Sequence, residues 1–279
     1  MRIDRRFGWL IAPCLVCAAG LALAQDAGES GKVTEGDLKL DHGQVNWTER
    51  TITATGSGAP DLKAANVAVA RLGAERVAKL DALRNILETL KGVRVNSDVT
   101  VKNEMVTSSE MRTKIEGVAR KFKVLKTKYY SDGGVDLVVQ MSLDGPLAST
   151  LLDAGDKTDQ VPTDGSAKNT GLIVDARGMK VLPALAPKLL DESGRVIYSP
   201  SFLTEAALQD QGVVGYYRDL GAAKKADRVG NKPLVLKALK TDDAGKSNVV
   251  LSNADAERLS NPDADLGYLT EGRVIIVID

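Results

Sequence analysis

The segment Asp175-Ala176-Arg177 stands directly behind the apolar run Leu172-Ile173-Val174 and is the cluster in this sequence best suited to recognition chemistry. Residues two apart on an extended chain point to the same side. The Asp175 carboxylate can therefore orient the Arg177 guanidinium, whose planar fork grips a carboxylate or phosphate through two hydrogen bonds. The end of a buried strand is also where α/β and α+β proteins commonly present binding residues. Asp175 and Arg177 are accordingly candidate ligand-binding residues. The competing reading is a structural ion pair at a strand end.

Other residues of reactive type sit in quieter settings. Gly56-Ser57-Gly58 has the opening of a dinucleotide fingerprint, but Asp61 occupies the place of the third glycine, and a strand-to-helix turn with Asp61 starting the helix explains the pattern. His42, the single histidine, lies beside a polar leader with no second ligand near it in sequence. Asp191 and Glu192 resemble a carboxylate pair, yet they flank Ser193-Gly194 in a turn. A water-exposed turn does not raise a carboxyl pKa as an acid catalyst requires. Arg228, Asn231 and Lys232, around Gly230 and Pro233, read as a solvated positive loop, and Ser199, Ser201 and Ser252 have no neighbouring histidine. The sequence thus indicates no catalytic residue, no metal site and no cofactor.

The chain as a whole narrows the function classes further. Its 37 basic and 37 acidic residues cancel, which argues against a nucleic-acid partner held by phosphate contacts. Arg2, Arg5 and Arg6 precede an apolar run from Phe7 to Ala24 that closes on Ala22-Leu23-Ala24, the order of a cleavable secretory signal peptide over residues 1–24. Both cysteines, Cys14 and Cys17, fall inside it. Pro13 and Val16 precede them where a lipid-accepting cysteine normally follows a small residue. The expected mature chain therefore has no disulfide, thiolate metal site or cysteine nucleophile.

Composition divides the remainder of the chain. Residues 25–41 read as a flexible leader, 42–152 as one domain, 153–169 (DAGDKTDQVPTDGSAKN) as a linker and 170–279 as a second domain. In the first, Val45–Thr55 alternates as a strand, and a long helix comes next that ends at Gly92. Leu72, Leu80, Leu83, Leu87 and Leu90, with Val69, Val77 and Ile86, recur at helical spacing and are expected to form the buried face. Val93–Val101 reads as a strand and Glu104–Glu116 as a short helix. Val118–Tyr130 and Val135–Leu143 are expected to form a hairpin about Ser131-Asp132-Gly133-Gly134. In the second domain, Lys188–Tyr198 reads as a hairpin around Asp191–Gly194, Phe202–Gln211 and Leu220–Ala226 as short helices, and Thr170–Ala176, Pro233–Ala238, Asn248–Leu251 and Arg273–Ile278 as strands. Runs such as LIV and VIIVI are those of strands covered on both faces, or on one face beneath a helix. The fold class is α+β: a first small domain with a long helix on an antiparallel sheet, and a second, β-rich one with short helices.

The stretch GSGAPDLKAANVAVARLGAERVAKLDALRNILETLKGVRVNSDVTVKN, continued by GVARKFKVLKTKYYSDGGVDLVVQMSL, resembles the domain shared by LPP-type bacterial surface lipoproteins and the amino-terminal domain of flagellar assembly protein T. The likeness covers the first domain and rests on pattern rather than on any reactive residue. It implies a periplasmic or outer-membrane component and brings no catalytic motif. This sequence departs from the lipoproteins in the residues before its cysteines.

Together these features imply a non-enzymatic exported cell-envelope protein, structural or assembly in role, periplasmic or outer-membrane-associated after cleavage, whose partners are other envelope proteins and which has no spanning helix in its mature part. A periplasmic ligand-binding module with its site near Arg177 is the second reading and a hydrolase the third. A pocket lined by Asp175 and Arg177 would favour the ligand module, and an exposed sheet edge or apolar patch would favour assembly.

Overall fold

The computed structural model describes residues 37–40, 42–152, 160–163, 165, 169–242 and 245–279. The expected signal peptide, most of the expected leader and most of the 153–169 stretch lie outside the described residues. The fold is an α+β mix, as expected. Two parts read as connector are ordered: Asp37–Leu40 is strand β1, and in the second stretch Val161 is buried while Pro162 accepts a hydrogen bond from the Leu266 amide.

The first half is a five-stranded antiparallel sheet under one long helix. Strand β1 pairs with β2 (Gly43–Asn46), β2 with β3 (Thr51–Gly58), β3 with β5 (Val135–Ser142) and β5 with β4 (Lys123–Tyr129), in the order β1-β2-β3-β5-β4. The expected single strand over Val45–Thr55 is thus a hairpin, broken at Trp47–Arg50, where Arg50 takes a left-handed φ of 53°. Gly56 and Gly58 do not turn the chain; they lie within β3, and their reason is helix α1 (Val67–Lys91) above them. A Cβ on Gly56 would come within 2.3 Å of the Ala78 carbonyl oxygen, and one on Gly58 within 1.9 Å of the Ala74 carbonyl oxygen.

This close approach decides which face of α1 is buried. Ala70, Ala74, Ala78, Ala82, Ile86 and Leu90, four apart, face the sheet, with only alanine where the glycines lie and larger residues toward the carboxyl end. The expected leucine face is corrected: Val69, Leu72, Val77 and Leu80 are exposed, and Leu83 and Leu87 are half-buried. Leucine would not fit between backbones this near. The helix also begins later than expected, with Asn66 rather than Asp61 as its cap, accepting from the Val69 amide, and it ends at Gly92. Strand β2 ends beside Ala54, and α1 takes over the β3 backbone beyond it: Asp81 accepts from the Ser57 amide and Asn85 donates to the Thr55 carbonyl.

Two short helices, α2 (Val101–Thr107) and α3 (Ser109–Ala119), replace the single helix expected over Glu104–Glu116. Thr100 and Ser108 cap them, each accepting an amide hydrogen bond, so Ser108 breaks one helix to start the next. The β4–β5 hairpin about Ser131–Gly134 forms as expected, but its first strand begins at Lys123 rather than Val118, which lies in the last turn of α3. The expected strand over Val93–Val101 reduces to one bridge, Arg94 to Thr100, because Arg94 and Val95 accept from the Leu185 and Ala186 amides instead.

The second half is built on a four-stranded parallel sheet, β6 (Leu172–Asp175), β9 (Gly215–Tyr217), β10 (Leu234–Lys237) and β13 (Val274–Val277), in the order β10-β6-β13-β9. The LIV and VIIV runs are covered on both faces, as their composition predicts. Ile173, Ile275 and Val277 pack on Ala223 of α6 (Leu220–Lys224) and on Val229, while Leu172, Val174, Val274 and Ile276 join the main core. A second small sheet joins β7 (Leu189–Leu190), β8 (Val196–Tyr198), β11 (Lys240–Thr241) and β12 (Val249–Val250). Helices α4 (Pro146–Leu151), α5 (Glu205–Asp210), α7 (Asn253–Arg258) and α8 (Gly267–Thr270) complete the chain. One hydrophobic cluster runs through both halves, with Trp47 meeting Tyr216 edge-on at 5.6 Å.

Candidate functional site

Strand β6 delivers Asp175 and Arg177 to the carboxyl edge of the parallel sheet, together and on one side as its extended backbone requires. Arg177 Nε donates to Asp175 Oδ1 at 2.8 Å and Nη2 donates to Oδ2 at 2.7 Å. The hydrogen bonds from Arg177 hold the Asp175 carboxyl below its ordinary pKa range. The guanidinium fork that would grip a ligand is occupied by its own neighbour. Beside it, Asp279 accepts from the Gly178 and Lys180 amides and pins the turn after the strand. The geometry is that of an intramolecular ion pair, and neither residue lines the cavities beside Arg50, beside Arg195 or on the outer side of α1.

The other residues singled out from sequence are scattered. His42 is exposed in the β1–β2 turn. Ser199 and Ser201 hydrogen-bond each other at 2.8 Å, and Ser252 caps α7. Asp191 is buried, contrary to the water-exposed turn expected, because it is the hub of that turn. It accepts from the Ser193 hydroxyl and amide and from the Arg195 amide and guanidinium. Led by the Ser193 hydroxyl, these bonds push its pKa down to about 2, the wrong direction for an acid catalyst. Glu192 instead accepts from the Asn253 amide.

Arg228 departs most from expectation. Rather than joining a solvated loop with Asn231 and Lys232, it turns inward and donates to the carbonyls of Gln211, Gly212 and Gly272. Burial, helped by the nearby Arg50 charge, pulls its pKa down to about 10. Arg50 is buried as well; its Nε meets Asp144 at 2.5 Å and its Nη1 donates to the Val214 carbonyl at 2.6 Å. Burial pushes the Asp144 carboxyl above its ordinary range against the pull of Arg50. Two arginines and one carboxylate thus tie the β2–β3 turn and the end of β5 to the loop before β9, around a cavity of about 360 Å³. Nothing in sequence brings Arg50, Asp144 and Arg228 together. Because the guanidinium groups bond chiefly to backbone carbonyls, the cluster positions loops.

A larger cavity of about 520 Å³ lies on the outer side of α1, where α2 and α3 meet it. Its floor is Leu83, Leu87 and Met105, its lips are Leu80 and Val106, and its rim carries Arg84, Lys91, Lys102 and Arg112 with Glu88 and Glu116. The apolar surface continues along α1 through Leu72, 59% exposed, to Val69, so the stripe visible in sequence is real but faces outward. Across the sheet, edge strand β4 is exposed along most of its length and carries Lys123, Lys126 and Lys128, charges that keep an open edge from pairing with another strand. Arg71 of α1 stacks over Tyr129 of that strand. Among the described residues, no group of three His, Cys, Asp or Glu is placed to hold a metal ion, and no helix is long and apolar enough to cross a membrane. The groove offers a binding surface of complementary apolar and charged character, with no nucleophile and base set against each other.

A search among curated proteins finds no match to this chain. Residues 171–279, the half built on the parallel sheet, match the model of a bacterial protein family described as Treponema pallidum Tp0624, second domain.

Proposed function

We propose that this protein is a non-enzymatic, exported cell-envelope component with a structural or assembly role, and that it docks other envelope proteins through the outer face of α1. The observation that carries this reading is the exposure of that face. Leu72, Val77 and Leu80 would stabilise the fold if turned inward, yet the glycine–alanine contact on the opposite side of α1 keeps them out. Contiguous exposed apolar surface of this kind marks interaction sites. Periplasmic or outer-membrane-associated placement, and kinship of the first half with LPP-type lipoproteins or flagellar assembly protein T, belong to the same proposal and rest on the amino-terminal segment and on the sequence resemblance. A ligand module at Arg177 has less support, since Asp175 fills the arginine fork.

The test is photo-crosslinking in intact cells that export the protein. A crosslinking residue at Leu72 or Leu80 gives discrete protein adducts, and one at exposed Lys224 does not. Equal yields at all three positions, or none, contradict the proposal.

A further inference from the structure

The groove between α1 and the α2–α3 pair is concave and apolar at its base, and its rim is dominated by one charge. Leu80 and Val106 stand 68% and 71% exposed at its lips, while Leu83 and Leu87 lie half-buried at its base. Four cations, Arg84, Lys91, Lys102 and Arg112, face two carboxylates, of which Glu88 is already bonded to Lys91. In a chain whose charges cancel overall, this is a local positive excess.

We propose that the groove receives an amphipathic α-helix of a partner protein, with its apolar face on Leu80, Leu83, Leu87 and Val106 and its flanks rich in Asp and Glu. This rests on the proposed docking role of α1 and specifies the partner's chemistry. A helix laid in an apolar groove is a recurrent recognition mode, and Leu80 to Lys91 spans roughly 16 Å of α1, about three turns of an opposing helix. Shape argues against a lipid surface, because a flat bilayer does not reach Leu83 and Leu87 at the base. Charge argues against a second copy. Helix α1 carries Arg71, Arg76, Lys79, Arg84 and Lys91 against Glu75, Asp81 and Glu88, so two copies would face like charge, whereas an acidic helix pairs with the rim.

Two labelled synthetic peptides of about 15 residues test this, one with leucine at helical spacing among glutamates and one with lysine in place of glutamate. Fluorescence anisotropy should show the glutamate peptide binding the folded protein, more weakly as salt rises, and the lysine peptide binding far less. The paired variants Lys102→Glu with Arg112→Glu, and Leu80→Ser with Val106→Ser, should each weaken it roughly tenfold or more. All four residues are exposed or half-exposed, so melting midpoints should stay unchanged. Equal binding of the two peptides, no binding of the glutamate peptide, or variants that bind as well as the parent would overturn the proposal. So would self-association through this face, or sedimentation with phosphatidylglycerol vesicles that the Leu80 and Val106 changes abolish. Crosslinks from Leu80 in cells without preference for the glutamate peptide would overturn the acidic helix alone and leave the docking role standing; loss of both results would end both.

Discussion

A Cβ on Gly58 would lie 1.9 Å from the carbonyl oxygen of Ala74, so the strand and the helix above it meet backbone to backbone. No side chain at either position can move to relieve such a contact. Gly58→Ala should therefore cost about 3 kcal/mol through forced displacement of α1. Chemical unfolding measures it, and a loss under about 0.5 kcal/mol, the range of an ordinary surface change, would mean that the two elements are not in contact.

The same packing predicts opposite outcomes for two large residues of α1. Ile86 is fully buried toward the sheet, and Ile86→Ala should cost about 2 to 5 kcal/mol through lost burial and a residual cavity. Leu80 is 68% exposed, and Leu80→Ala should stay within about 0.5 kcal/mol in the isolated protein. Reversed magnitudes would show that the leucine face is the inner one.

At the buried charge cluster, Asp144→Ala leaves Arg50 and Arg228 without a counter-charge and should destabilise by about 3 kcal/mol or more. Replacing Arg50 and Asp144 together by Met and Leu should be less damaging than Asp144→Ala, because no unpaired charge is stranded. Thermal unfolding of the parent, the single variant and the double variant decides this, and a double variant less stable than Asp144→Ala would contradict the coupling.

Asp191 supplies a pH signature. Its pKa falls from 3.8 to about 2 on folding, so its contribution to stability is complete above 3.8 and is lost as pH drops from there through about 2. Asp191→Asn should be less stable near neutral pH and should lose less stability than the parent over that acid window. Parallel stability–pH curves for the two proteins would refute it.

Much of the fold was legible in the sequence because it rests on local signals. The turn residues Asp132-Gly133-Gly134 and Ser193-Gly194 marked two hairpins, and the apolar runs at Leu172 and Val274 marked strands covered on both faces. The orientation of α1 was not, because leucine outranks alanine as a core residue until the strand opposite is known to carry glycines. Gly56-x-Gly58 and alanine at 70, 74, 78 and 82 held that information jointly, in two elements that sequence alone does not bring together. The Arg50–Asp144–Arg228 cluster joins residues far apart in the chain, and of the three only Arg228 carried a reading from sequence, as part of a solvated loop.

Cysteine accessibility tests the central claim, that the outer face of α1 is covered by a partner in the cell. Cys14 and Cys17 are the only native cysteines, and peptide mapping separates them from single cysteines placed at Leu80, Ile86 and Val106. In the purified protein, maleimide should modify the residues at 80 and 106 rapidly and the buried one at 86 hardly at all. In intact cells the positions at 80 and 106 should become protected while a cysteine at exposed Lys224 labels as before. Labelling at 80 and 106 that is as fast in cells as in the purified protein would contradict the account.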